Sequence, residues 1–254
     1  MSKNLLLHLD KLTIFFRPTV HRKQTLRDVF VSFFASPLKT FSRSRDKYIV
    51  MDKITAKFFR GEVIGLIGIN GVGKTTLCRY LSGIIKSDQV KIYGEVRAIF
   101  DNSICFYPNL TGRENAIILA EIMYPELSKF QKEEIIKEAL HFSELTTFLD
   151  SPMNTYSRGM KARLYLSLVT AKEADILILD EIFGGTDIFF LEKLEERIRR
   201  IVKNSGSVII VSHDRNDIVK YCNRAIVLAE KKIVFDGPPE VALSFYSQKY
   251  GHEK

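Results

Sequence analysis

No apolar run in this 254-residue chain approaches the roughly 18–20 consecutive residues of a membrane-spanning helix, so no segment reads as a span. Cysteine is scarce. Cys78, Cys105 and Cys222 are odd in number, widely spaced and in no C-x-x-C pair, which implies neither a disulfide framework nor a zinc site. The start, Met-Ser-Lys-Asn before a short leucine-rich strand, lacks the cleavage site of a signal peptide. A reducing cytoplasm is the expected compartment. There are no internal repeats, low-complexity tracts or long coiled-coil insertion, and no N-K-x-D guanine-recognition motif.

What the chain does have is ordinary globular apolar content, 46%, which argues against disorder, and an excess of positive charge, formally +8 at pH 7. A basic balance of this size suggests an anionic neighbour, nucleic acid or the cytoplasmic face of a membrane. Most of it comes from residues 17–47, where eight Lys/Arg face only Asp28 and Asp46. Within that stretch Leu26, Val29, Phe30, Phe33 and Phe34 recur at the spacing of an amphipathic helix, which Ser36-Pro37 should end. Two readings stand: a core-facing helix on a solvated basic loop, or a basic amphipathic helix on a membrane surface or membrane-embedded partner.

The strongest motif is Gly68-Ile69-Asn70-Gly71-Val72-Gly73-Lys74-Thr75, which fits the phosphate-binding pattern G-x-x-x-x-G-K-S/T at every fixed position. An apolar strand, Glu62 to Ile69, precedes it, and a helix from Thr76 to Ile85 follows. The glycines allow backbone N–H groups to converge on one anion, and the helix N-terminus adds partial positive charge. Lys74 should reach the β- and γ-phosphates and the Thr75 hydroxyl should ligate Mg²⁺. A second motif, Ile176-Leu177-Ile178-Leu179-Asp180-Glu181, reads as a strand buried on both faces that ends in two acids. Asp180 is then placed for the Mg²⁺ shell and Glu181 to orient or deprotonate the attacking water. Val208-Ile209-Ile210-Val211-Ser212-His213-Asp214 repeats the plan. His213 suits either a γ-phosphate sensor or a structural residue at a strand end. Tyr156-Ser157-Arg158-Gly159-Met160-Lys161 opens a helix with a hydroxyl and a glycine, a second anion-binding device.

Around these motifs the pattern alternates strands and helices. Leu5–Leu9 and Leu12–Phe16 form an opening strand region, Tyr48–Phe59 two short strands, and Lys91–Phe100 one strand. Helical spacing dominates Thr111–Lys172, in Glu114–Met123, Lys129–Phe142 and Gly159–Ala171, with Pro108, Pro125 and Pro152 as breakers. This reads as a helical subdomain (101–172) inserted into a core of 1–100 and 173–254. Strand Val208–Val211, helices Phe189–Val202 and Asp214–Tyr221, and a hairpin at Ala225–Leu228 and Lys232–Phe235 complete the core.

The order of phosphate loop, helical insertion, S-x-G at a helix start, apolar strand ending in Asp-Glu, and Ser-His resembles the nucleotide-binding subunit of an ABC transporter, over about Leu5 to Tyr246. Phe106-Tyr107-Pro108-Asn109-Leu110-Thr111-Gly112-Arg113-Glu114-Asn115, Tyr156–Lys161, Asn223–Leu228 and the basic insertion before Tyr48 are similar to the ATPases of polysaccharide exporters handling O-antigen, teichoic acid or capsule. The resemblance implies an α/β P-loop NTPase fold: a RecA-like core, an antiparallel β subdomain and an inserted α-helical subdomain. It implies a homodimer sandwiching two ATP molecules with Mg²⁺. Each nucleotide is held by one subunit's loop, Gly68, Ile69, Asn70, Gly71, Val72, Gly73, Lys74, Thr75 and Thr76, and by the other's Ser157, Arg158 and Gly159. Glu181 is then the catalytic glutamate, His213 the switch histidine and Asp187 the link between sites. Tyr48 either stacks on adenine or sits in the core. A membrane permease is the implied partner, docking near Thr111–Met123, at the cytoplasmic side of the membrane, with no nucleic acid.

Two departures mark the chain. Arg158 stands where the S-G-G-Q core has its first glycine, and Asp101 or Asn102 occupies the region of the glutamine that usually joins sheet to helical subdomain. Asp101 is the candidate additional metal ligand. Other classes fit less well. A soluble ABC-type ATPase acting on nucleic acid or ribosomes usually carries two ATPase units or a long coiled-coil insertion. A GTPase or small-molecule kinase leaves Ser157–Lys161 unexplained. A non-catalytic regulatory subunit would not need Lys74, Asp180, Glu181 and His213 together.

Overall fold

The computed structural model describes residues 4–16, 48–100, 106–181, 187–204, 206–212 and 214–250. The expected helix in 17–47, Asp101, Asn102, Cys105 and His213 lie outside them.

Two sheets form the frame. A three-stranded antiparallel sheet has the order β2-β1-β4, from β1 (Leu5–Phe16), β2 (Tyr48–Phe59) and β4 (Val90–Ile92). A six-stranded sheet has the order β5-β6-β7-β3-β8-β9, from β5 (Val96–Phe100), β6 (Ile176–Asp180), β7 (Ser207–Val211), β3 (Val63–Ile67), β8 (Arg224–Ala229) and β9 (Lys232–Gly237). Strands β5 to β8 run parallel and β9 is antiparallel at the edge. The turn between β8 and β9 is Glu230-Lys231, both at positive φ (50 and 63), which matches the right-handed twist of a two-residue hairpin.

The central strands alternate between two cores. Ile64, Leu66, Ile176, Ile178, Ile209 and Val211 face the three-stranded sheet and α1 (Lys74–Leu81). Val63, Leu177, Leu179, Val208 and Ile210 face α4 (Arg158–Val169) and α5 (Ile188–Lys203). A third cluster joins α4 to α2 (Gly112–Met123) and α3 (Lys129–Ser143), which lie between β5 and β6 in the chain. Both α2 and α3 begin with a capping box, Thr111 with Glu114 and Ser128 with Gln131. The last cluster packs α6 (Arg215–Tyr221) and α7 (Pro239–Tyr250) on β3 and β8.

Several elements differ from the sequence-based expectation. Tyr48–Phe59 is one strand, not two: Lys53 turns to φ 49 and shifts the register against β1 without ending the pairing. Lys91–Phe100 is two strands in different sheets. The crossing is at Gly94, where a Cβ would lie 2.6 Å from Asp175 Cβ, so only glycine passes. Helix α1 begins at Lys74 rather than Thr76. Helix α7 was not expected, although Pro239 at its first turn is a start signal.

Candidate functional site

Register places the motifs on one edge. Phe100 pairs with Asp180, Asp180 with Val211, Val211 with Leu66, and Ile67 with Val227. The C-terminal ends of β5, β6, β7 and β3 are therefore level, and the phosphate loop, Glu181 and Ser212 leave the sheet together. Ligands of open α/β sheets bind at this edge.

The loop's shape follows from its glycines. Gly71 and Gly73 have φ +80 and +107. A Cβ on Gly68 would lie 2.6 Å from the Leu228 carbonyl oxygen, and one on Gly73 would lie 2.5 Å from Val50 Cγ1. The loop is thus wedged between β8 and β2. Gly73 N-caps α1 without a side-chain hydrogen bond, and the first turn of α1 carries no acid, which leaves its backbone N–H groups available to an anion. Ile69, Asn70 and Gly71 are exposed; Val72, Thr75 and Thr76 are half-buried.

Lys74 is 5% exposed. Its Nζ folds back over the loop and donates to the Gly68 carbonyl at 2.7 Å and the Ile69 carbonyl at 3.2 Å. Burial lowers its pKa, opposed by the negative charges of Glu181 and Asp180. The parallel register of β3, β7 and β6 brings both acids to the sheet edge from which the Lys74 loop leaves. Asp180 is 2% exposed. Glu181 has φ 56, an uncommon conformation for a long side chain, and its N–H donates to Val211 O at 2.9 Å. A hydroxyl and a carboxylate flanking a phosphate-binding turn are the hard oxygen donors that Mg²⁺ takes, so Thr75 and Asp180 fit that ion.

Ser157 N-caps α4, its Oγ accepting the Met160 N–H at 3.1 Å. Ser157 and Arg158 are exposed and Gly159 is half-buried. Helix α4, which Ser157 opens, packs on the opposite face of the sheet from α1. Asp187 N-caps α5, accepting from Phe190 N at 3.0 Å, and pairs with Arg163 Nη1 at 3.0 Å. Burial acts to raise its carboxyl, but the Phe190 N–H and Arg163 outweigh it and hold the carboxyl below its ordinary value. Tyr48 is 62% exposed, so the core alternative is wrong. It opens β2, two residues before the Val50 that touches Gly73.

Other residues of the motifs, given no role by the sequence, hold the backbone around the site. Asn115, fully buried, accepts from Tyr107 N at 2.7 Å and donates to the carbonyls of Tyr107, Leu110 and Thr111. It ties down the segment 106–111. That segment is bonded in turn to 153–154, through Met153 N to Leu110 O and Asn154 N to Pro108 O, just ahead of Ser157. Tyr156 donates to Phe148 O at 2.6 Å, and a Cβ on Gly112 would lie 2.1 Å from its hydroxyl. Ser212 Oγ donates to Asp217 Oδ2 at 2.6 Å and accepts from Asp214 N at 3.0 Å, fixing the backbone on both sides of residue 213.

Fold and edge together are those of a P-loop NTPase. The ABC transporter family model matches residues 51–184. Among curated relatives, the O-antigen export system ATP-binding protein RfbB of Klebsiella pneumoniae is 33% identical over 204 residues, 80% of this chain and 82% of that protein. RfbE of Yersinia enterocolitica, with the same description, is 36% identical over 176 residues, 68% of this chain and 73% of that protein. The teichoic acids export ATP-binding protein TagH of Lactococcus lactis is 34% identical, covering 82% of this chain but 44% of TagH. Among solved structures, the ATP-binding subunit of an ABC transporter superposes with a TM-score of 0.70 at 21% identity, covering 97% of this chain and 93% of that one. A dimeric ATP-binding cassette bound to ADP and Pi gives 0.71 at 17%, over 92% and 99% of the two chains. The chain belongs to the ABC transporter family, and its fold is that of the family's ATPase.

Proposed function

We propose that this protein is the ATP-hydrolysing subunit of an exporter of cell-surface polysaccharide. The observation that carries the ATPase is the strand register that brings the Lys74 loop, Asp180 and Glu181 to one sheet edge beside an uncapped helix N-terminus. The curated relatives, named for O-antigen and teichoic acid export, support the substrate class.

The backbone N–H groups of 68–75 and Lys74 bind the β- and γ-phosphates, and Lys74 leaves its two loop carbonyls to do so. Thr75 and Asp180 hold Mg²⁺, which when bound supplies positive charge against the phosphate oxygens. Glu181 orients the water for in-line attack and accepts its proton. Ser157–Gly159 of a second copy closes over the γ-phosphate, a helix N-terminus aimed where negative charge develops. Such an arrangement makes the protein a homodimer whose closure depends on ATP. Asp187 lies at that closure, and Tyr48 offers an exposed ring for adenine.

No helix among the described residues is long and apolar enough to cross a membrane. We therefore assign translocation to a separate permease, with the ATPase held on its cytoplasmic face. The exposed Tyr107, Ile117 and Ile122, on and beside α2, suit contact with it. Cells carrying Lys74→Ala should lose surface polysaccharide and accumulate the glycan inside; undiminished surface glycan would exclude the proposal.

A further inference from the structure

Glu144 occupies a position at which helices usually end on glycine or asparagine. It closes α3 with φ 56, in the left-handed region that long side chains seldom enter. Its carboxylate is where two other helices meet. Arg163 of α4 donates to Oε2 at 3.0 Å, and Lys193 of α5 donates to Oε1. Lys193 also donates to the Phe142 carbonyl at 3.3 Å.

Arg163 extends the connection. Its side chain is 17% exposed. Its remaining donors take the Ser143 carbonyl at 2.9 Å and Asp187 Oδ2 at 3.0 Å, and the guanidinium lies over the Phe190 ring at 5.2 Å. A guanidinium presents its N–H groups in one rigid plane, so it can satisfy α3, α4 and α5 together only at one relative placement of the three. Asp187 follows Glu181 across the short segment 182–186, while α4 starts at Ser157. The Arg163 fork therefore ties α4, the helix that Ser157 opens, to Asp187 at the start of α5.

We propose that Glu144 is a positioning residue for ATP hydrolysis: holding Arg163 and Lys193 on one carboxylate, it fixes the Ser157 end of α4 relative to the Asp187 end of the segment that carries Glu181. This rests on the roles proposed above for Ser157 and Glu181. A glutamate at φ 56 is then a local misfit retained for its carboxylate, the kind of broken rule expected near a working site.

The backbone itself provides the discriminating test. Glu144→Gly suits φ 56 while deleting the carboxylate, so stability and catalysis should part company. In the full-length protein with Mg-ATP, Glu144→Gly should match or exceed the wild-type melting temperature. Its kcat should fall by about tenfold to a hundredfold, the scale of a misplacement of order 1 Å, with KM for ATP nearly unchanged. Glu144→Asn, also at ease at positive φ, should behave alike, and Glu144→Asp should recover part of the rate. Adding Arg163→Ala should cost little beyond the larger single loss. Wild-type kcat in Glu144→Gly and Glu144→Asn, or losses that multiply in the double variant, would overturn the proposal. Glu181→Gln is run alongside. If it hydrolyses ATP normally, the site roles fail; if it is inactive while Glu144→Gly is normal, only the positioning role fails.

Discussion

The Nζ of Lys74 lies 2.7 Å from the carbonyl oxygen of Gly68, the glycine that opens its own phosphate loop. The cation is held inside the curl it serves, with a pKa lowered by burial despite two neighbouring carboxylates. Holding that charge costs the nucleotide-free fold, and a phosphate repays it. Lys74→Ala should therefore melt no more than a few degrees away from wild type without nucleotide, yet lose the stabilisation that ATP gives. Hydrolysis should drop by about a hundredfold or more, the scale of losing one positioned charge or donor. Thermal melts with and without ATP, beside a phosphate-release assay, check both.

Gly68 and Gly71 should respond differently to alanine. At Gly68 the new methyl meets the Leu228 carbonyl at 2.6 Å and Val72 Cγ1 at 2.9 Å, so the loop or β8 must move. A loss of about 1–3 kcal/mol and of nucleotide binding is expected. Gly71 has nothing within 4 Å, but its φ of +80 should still cost about 1 kcal/mol. Chemical denaturation of the two variants orders them.

Asn115→Ala removes a buried amide that makes four hydrogen bonds to the 106–111 backbone. Orphaned backbone groups and a cavity should together cost about 2–4 kcal/mol. Hydrogen exchange should rise first at 106–111 and in the bonded 153–154 segment.

Alkaline pH should weaken the fold through two thiols, the buried Cys78 and the half-buried Cys222. Burial raises Cys222 from an ordinary 9.0 to about 12, and raises Cys78 in the same direction. Since the folded pKa is the higher, this stability is fully present below pH 9 and is lost as pH rises towards 12, at up to about 1.4 kcal/mol per unit per thiol. Urea melts at pH 8 and 10.5 should show the loss, and Cys222→Ala should flatten it.

Much of this was legible in the chain because strong local patterns coincide with the site. The loop glycines, the fully apolar 176–179 run and the Ser157 cap each announce an element and a chemistry at once. What escaped was set by tertiary contact. Nothing local says that Gly94 slides past Asp175 and sends 90–92 and 96–100 to different sheets. Tyr48 reads equally as core or surface until β2 is seen to begin there, exposed. Asn115 stands in a motif, but its bonds to the backbone of Tyr107, Leu110 and Thr111 show only once that segment is folded over it, and Glu144 matters through two cations brought by other helices. The residues 17–47, Asp101 and His213 remain expectations of the sequence.

The central claim is that Glu181 drives hydrolysis at a site completed by a second copy. Sedimentation velocity of Glu181→Gln with Mg-ATP tests it most directly. The account predicts an ATP-dependent dimer that retains unhydrolysed nucleotide and is abolished by adding a bulky residue at Ser157. A variant that stays monomeric with ATP bound, or turns over ATP at the wild-type rate, would contradict it.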